Sequence, residues 1–223
     1  MEFLEFYSDP IYDYQKYLDN SQICDCTIRM EGSDQTISAH RVVLANASVF
    51  FFNAFTSGMQ EDTDRIVTIP SQYVGLFPKV LEFVYTGIIN VDMDELIPLI
   101  DHAHYFGIQS LMVTLEDMMN TLMTKDKLVK FIEDCYTYSL QEPLNKLIPY
   151  MQRFFNEFTI AEFSEMLDTI TFCKVIGDLQ MTVDQKVECL NAFLNGSKPE
   201  GEEIVALNSV VGSAVGRIRP CWR

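Results

Sequence analysis

Two residue pairs in this sequence have the chemistry of metal ligands: Cys24-Asp-Cys26 and His102-Ala-His104. A structural zinc site needs four convergent donors. The cysteines fall instead in an alternating run, Cys24 to Met30, which as a strand turns both thiols to the face of Ile28 and Met30. Thiols on an apolar face behave as small hydrophobes. His102 and His104, two apart on a helix, look in different directions and are read as surface histidines. No metal or other cofactor is expected. Asp92, Asp94, Glu95 and Asp101 crowd one stretch, which suits the N-terminal charge preference of a helix better than an acid–base pair. Gly-x-Ser-x-Gly, P-loop and His-Glu-x-x-His patterns are missing from the sequence, so an enzyme is not expected. Asp25 lies beside the apolar strand, where a carboxylate needs a partner. Pairing with His40 or Arg41 would satisfy these polar groups and fix the fold.

These residues must be positioned by elements that the apolar pattern reveals. Ile11, Tyr14 and Leu18 stand at helical spacing within Ser8 to Asn20. The strand at Cys24–Met30 meets a turn at Glu31–Asp34 and a second strand at Gln35–Ser38, which reads as a hairpin. Short helices are expected at His40–Ala47 and Ser48–Ser57, closed by Gly58. Glu61–Asp64 reads as acidic loop and Arg65–Ile69 as a strand stopped by Pro70. A helix over Tyr73–Tyr85 and a strand over Ile88–Val91 follow. Asp94–Phe106 is helical, and Pro98 must fall in its first turn or kink it. Helices then dominate: Ser110–Met123, Lys125–Ser139, Glu142–Phe158 with Pro149 interrupting it, Ala161–Leu167 and Val183–Leu194. Thr159-Ile-Ala-Glu162 has the form of a capping box. Strands mixed with helices, then helices alone, predict an α+β domain with an all-α annex.

The chain has 223 residues and a net charge of -16. Residues 1–124 hold 18 acids and 5 bases, and the remainder 14 acids and 11 bases. So acidic a chain lacks the basic footprint of a nucleic-acid binder, and a basic protein partner gains in encounter rate. The opening MEFLEFYSDP is unlike a signal peptide, and no apolar run approaches the roughly 20 residues that span a bilayer. A reducing compartment is expected, cytoplasmic and also nuclear, with free thiols. Residues 195–203 read as linker, and the tail to Arg223 shows no clear period.

The ordered motifs resemble the BTB (POZ) family. They are Ile23-Cys-Asp-Cys-Thr-Ile28, Ala39-His-Arg-Val-Val-Leu-Ala45, Ser48-Val-Phe-Phe-Phe-Asn-Ala-Phe55 and Phe83-Val-Tyr-Thr-Gly87. The resemblance places a BTB domain over residues 8–123: a short three- to five-stranded sheet flanked by helices. Residues 124–194 resemble a shortened BACK-type helical extension, and 195–223 remain linker and unassigned tail. Departures are Ser38, where the family often has Pro, and His104, where it often has Asp. No kelch-like repeat follows.

The resemblance implies a homodimer whose first helix, with Ile11, Tyr14 and Leu18, packs across the two-fold axis. It implies a charged pocket at the dimer surface lined by Asp25 and Arg41. Thr56-Ser-Gly-Met-Gln-Glu61 resembles the hydrophobic-x-acid element by which members grip cullin-3, with Met59 and Glu61 as the two contacts. Tyr105 and Phe106 fall near further cullin contacts. The implied function is an adaptor linking cullin-3 to an unidentified substrate protein in a ubiquitin ligase. A transcription-regulating scaffold that binds peptides, or a truncated competitor occupying cullin-3 without substrate, are the alternatives.

Overall fold

The computed structural model describes residues 4–7, 14, 17, 21–58, 60–195 and 199–218. The chain divides into two compact units, Met1–Leu122 and Met123–Arg223.

In the first unit, strand β2 (Cys26–Met30) is central to a three-stranded sheet. Its inward side chains Cys26, Ile28 and Met30 are buried while Arg29 faces out, the alternation expected of a half-buried strand. Strand β3 (Thr36–Ala39) pairs with it antiparallel, Cys26 opposite Ala39 and Arg29 opposite Thr36. Strand β4 (Ile66–Ile69) runs parallel on its other edge, Thr27 opposite Ile66. A parallel neighbour needs a crossover. Here the crossover contains α1 (Arg41–Ala47), α2 (Val49–Thr56) and α3 (Gln60–Asp64). A second, two-stranded sheet pairs β1 (Leu4–Tyr7) with β5 (Ile88–Val91) antiparallel. Helices α4 (Phe77–Thr86), α5 (Leu96–Phe106) and α6 (Gln109–Leu122) complete the unit. The α+β expectation and the strand–turn–strand hairpin both hold.

Four local expectations change here. Glu61–Asp64 is helical, not loop. The helix expected from Tyr73 begins at Phe77, behind a 3-10 turn at Ser71–Tyr73. Pro78 sets that start: it has no N–H to donate and fits only the first helical turn. Strand β1 was not anticipated, because four residues give too short a pattern to read. His102 is buried instead of on the surface. Its Nδ1 lies 2.7 Å from the Pro98 carbonyl and its Nε2 3.0 Å from that of Tyr73. The expected helix over 8–20 falls largely outside the described residues.

The second unit is helical among its described residues. It comprises α7 (Lys125–Thr137), α8 (Gln141–Arg153), α9 (Ile160–Met166), α10 (Thr169–Gly177), α11 (Val183–Leu194) and α12 (Glu202–Val211). The capping box is present: the Thr159 hydroxyl accepts the Glu162 N–H, and the Glu162 carboxylate accepts the Thr159 N–H. Thr182 and Gln185 repeat the device on α11. Helix α8 runs through Pro149 to Arg153, with Leu144, Leu147 and Met151 buried on either side of it. Packing of that stripe outweighs the single backbone bond that Pro149 removes. Helix α10 was missed, although Asp168 caps it and accepts the Thr171 N–H at 2.7 Å. Helix α12 corrects the unassigned tail. It has acidic residues in its first turn and buries Leu207 and Val211, four residues apart. Phe163, Phe172 and Phe193 form the aromatic centre, with Phe172 and Phe193 stacked at 4.1 Å.

Candidate docking surface

Ser48 opens helix α2 and ties it to α5. Its hydroxyl accepts the Phe51 N–H at 3.2 Å and donates to the Phe106 carbonyl at 2.5 Å. It thus satisfies one orphan donor of the α2 N-terminus and one orphan acceptor of the α5 C-terminus. Beneath it, Phe51 packs against Phe55, Phe77 and Phe106, with Phe51 and Phe106 stacked at 5.9 Å. At α5's C-terminal end the chain turns at Gly107, whose φ is +60°. The Val49 N–H donates to the Gly107 carbonyl, and a Cβ on Gly107 would lie 3.0 Å from that of Val49. Only glycine permits this approach in this conformation.

Burying Phe51 and Phe55 turns the opposite face of α2 outward. Val49 is 62% exposed and Phe52 52%. Tyr105, 38% exposed, stacks on Tyr73 at 4.1 Å and lies 5.5 Å from Phe50. Large apolar side chains held outward by a rigid aromatic base are the ordinary anchors of a protein interface. Glu61 is exposed on α3. Met59 lies outside the described residues. Phe106 is wholly buried in the aromatic base, so it can support a partner contact but cannot make one. Val49 and Phe52 are not among the contacts that the sequence motifs imply. Their i, i+3 spacing opposite Phe51 and Phe55 carried the signal, but an almost uniformly apolar helix hides its outer face.

Asp25 and Arg41 meet through the backbone: the Arg41 N–H donates to the Asp25 carboxylate at 2.7 Å. His40, at the N-cap of α1, supplies no side-chain cap, so the carboxylate comes from another segment. The Arg41 guanidinium donates to the Phe55 carbonyl at 2.7 Å and lies 5.1 Å from the Phe55 ring. His40 is buried, its Nδ1 2.9 Å from the Tyr85 hydroxyl and its Nε2 3.8 Å from Cys24 Sγ. Burial pushes the Tyr85 phenol up to about 12, against the pull of the His40 N–H. Burial, with Asp25 beside it, likewise pushes the Cys26 thiol to about 12, so it stays a thiol. Of the first-helix residues, Ile11 and Leu18 lie outside the described residues. Tyr14 is half-buried and its N–H donates to the Tyr85 carbonyl.

Among the described residues no group of three or more His, Cys, Asp or Glu side chains could hold a metal ion. Cys24, Cys26, Cys135, Cys173 and Cys189 are thiols that no disulfide joins among the described residues. No described helix is long and apolar enough to cross a membrane.

The family model of the BTB/POZ domain matches residues 14–122. The chain is 27% identical to kelch-like protein 13 of Homo sapiens over 154 residues, which is 69% of this chain and 22% of the relative. It is 27% identical to kelch-like protein 2 of Homo sapiens over 187 residues, 82% of this chain and 31% of the relative. The chain thus spans less than a third of the length of these curated relatives. A solved BTB domain of zebrafish PATZ1 aligns over 48% of this chain and 86% of that one, with a TM-score of 0.41 and 21% identity. Residues 14–122 are a BTB/POZ domain, followed by a helical region, in a chain related to the kelch-like proteins.

Proposed function

We propose that the chain is a non-catalytic, homodimeric adaptor that docks cullin-3 on the outer face of α2. The observation that carries this reading is the exposure of Val49 and Phe52 on a helix whose other face is locked by Phe51 and Phe55. A rigid apolar surface loses little conformational entropy on binding. Tyr105 would add an aromatic contact. Met59 and Glu61 would supply an adaptable apolar side chain and a carboxylate acceptor. Dimerisation, through the segment that contains Ile11, Tyr14 and Leu18, would double the sites and raise effective concentration. The Asp25–Arg41 pair would line a charged pocket at that dimer surface. The substrate protein is a partner of this adaptor whose identity no residue specifies.

The test is binding of the purified chain to the N-terminal region of cullin-3 by biolayer interferometry. Wild type is expected to bind with submicromolar affinity. Phe52→Asp places a charge at an exposed position, so the fold survives, and it should weaken binding at least about 100-fold, the cost of a lost hot spot. Met59→Asp with Glu61→Lys should do the same. Wild-type binding that is absent, or unmoved by both variants, refutes the reading.

A further inference from the structure

The second unit holds an open groove of about 900 Å³ that the docking surface on α2 does not involve. Helices α10 and α12 form its two walls, and Ile148 of α8 closes one side. Ile170, Val205 and Val210 line it, and buried Cys173 lies at its floor. Burial, with Glu203 nearby, pushes that thiol up to about 12, so the floor carries no charge. Val205 is 69% exposed, on a helix that elsewhere buries Leu207 and Val211.

The groove is charged at its rim. Glu202 and Asp178 both line it, and neither carboxylate has a hydrogen-bond or ion-pair partner among the described residues. Asp178 stands at the C-cap of α10, where the helix dipole disfavours a carboxylate. The one lysine on the lining, Lys174, donates to Asn145 at 2.9 Å instead. Lys186 donates to the Gly177 carbonyl. The carboxylates at the rim are therefore left for a cation from outside, and the wall between them is apolar.

We propose that this groove binds an apolar segment of a partner protein flanked by lysine or arginine. The apolar side chains would cover Val205, Ile170 and Val210, and the cations would meet Glu202 and Asp178. This inference does not depend on the cullin-3 reading, because the groove lies wholly in the second unit.

Three fluorescein-labelled 14-residue peptides test it on the full chain by anisotropy. The first is amphipathic, with leucines at helical spacing and lysines between. The second replaces lysine by glutamate, and the third replaces leucine by serine. The first is expected to bind with a Kd on the order of 10 μM, at least tenfold tighter than either other. Val205→Asp should weaken it at least tenfold, and Glu202→Gln with Asp178→Asn about fivefold. Diffuse attraction to a chain of charge -16 makes the opposite prediction, since Val205→Asp adds a negative charge and would tighten binding. Val205, Glu202 and Asp178 are exposed, and an unchanged circular dichroism spectrum verifies each fold. Equal binding of the lysine and serine peptides, or indifference to Val205→Asp, overturns the proposal. So does a fall in mass by light scattering in Val205→Asp without peptide, which would make a second copy the occupant.

Discussion

Ser48→Ala removes one oxygen that serves two helices at once. The hydroxyl accepts from Phe51 and donates to Phe106, in a residue almost wholly buried. Loss of an N-cap side chain costs about 1 kcal/mol. A buried carbonyl left without its donor costs about 1 to 3 kcal/mol, and less if water enters the space. The two overlap, because α2 can shift once it is released, so the expected loss is about 2 to 3 kcal/mol. At a urea slope of about 1.5 kcal/mol/M this lowers the midpoint by about 1 to 2 M. Ser48→Gly separates the contributions. Glycine loses both bonds, but its N-cap position costs only a few tenths of a kcal/mol, so most of what remains is the bond to Phe106, and its midpoint should fall between those of Ala and wild type. The assay is a urea titration of the full chain followed by circular dichroism, with the first unit's transition fitted separately. A loss below about 0.5 kcal/mol in Ser48→Ala, less than the cap alone contributes, or a Ser48→Gly protein as stable as wild type, would refute the tie between α2 and α5.

Gly107→Ala should cost more than Gly32→Ala. Both glycines have positive φ, but a Cβ at Gly107 meets that of Val49 at 3.0 Å, and one at Gly32 meets nothing within 4 Å. Left-handed strain of about 1 kcal/mol is common to both, so the difference between their urea midpoints reads the displacement of α2. Equal midpoints would refute the close approach. Asp168 predicts an acid limb of stability in the second unit. Burial raises its carboxyl, but the Thr171 N–H and the Tyr136 and Thr171 hydroxyls outweigh it and hold the group below its ordinary value. A carboxylate depressed on folding stabilises above its unfolded value near 4 and loses that contribution as pH falls through the folded one. The stability gap between wild type and Asp168→Asn should therefore be widest at neutral pH and close as the pH falls below the unfolded value near 4 and through the folded one. A gap that is constant with pH counts against this cap.

How much of this was legible depended on whether a residue's neighbours lie close in sequence. The alternation from Cys24 to Met30 fixed the face of β2, because a strand repeats every two residues and one side of this one is buried. The capping box at Thr159 was equally readable, since all its atoms lie within four residues. Helix α12 was not readable: two buried anchors, Leu207 and Val211, are too few to set a period beside so many small residues. His102 failed for a different reason. Its two carbonyl partners, Pro98 and Tyr73, come from its own helix and from a turn 29 residues back, and only tertiary packing brings the second within reach.

The candidate surface shows the same limit from the other side. In Val49-Phe-Phe-Phe-Asn-Ala-Phe55 every aromatic residue has comparable hydrophobicity, so composition cannot say which rings go inward. The selection is made by groups outside the helix. Ser48 fixes the first turn against the end of α5, and Phe77 and Phe106 offer ring faces to Phe51. Gly107 lets the helix start approach within contact of that end. Once Phe51 and Phe55 are committed inward, a period of 3.6 residues carries Val49 and Phe52 outward. Two large apolar side chains left in water cost stability in the isolated chain, on the order of 1.5 kcal/mol or more each if they could be buried instead. The aromatic base beneath them already holds Phe51 and Phe55, and neither Val49 nor Phe52 is buried against it. A partner that covered them would recover that cost, which is why the outward face of α2, rather than any charged group on the first unit, is the surface proposed for docking.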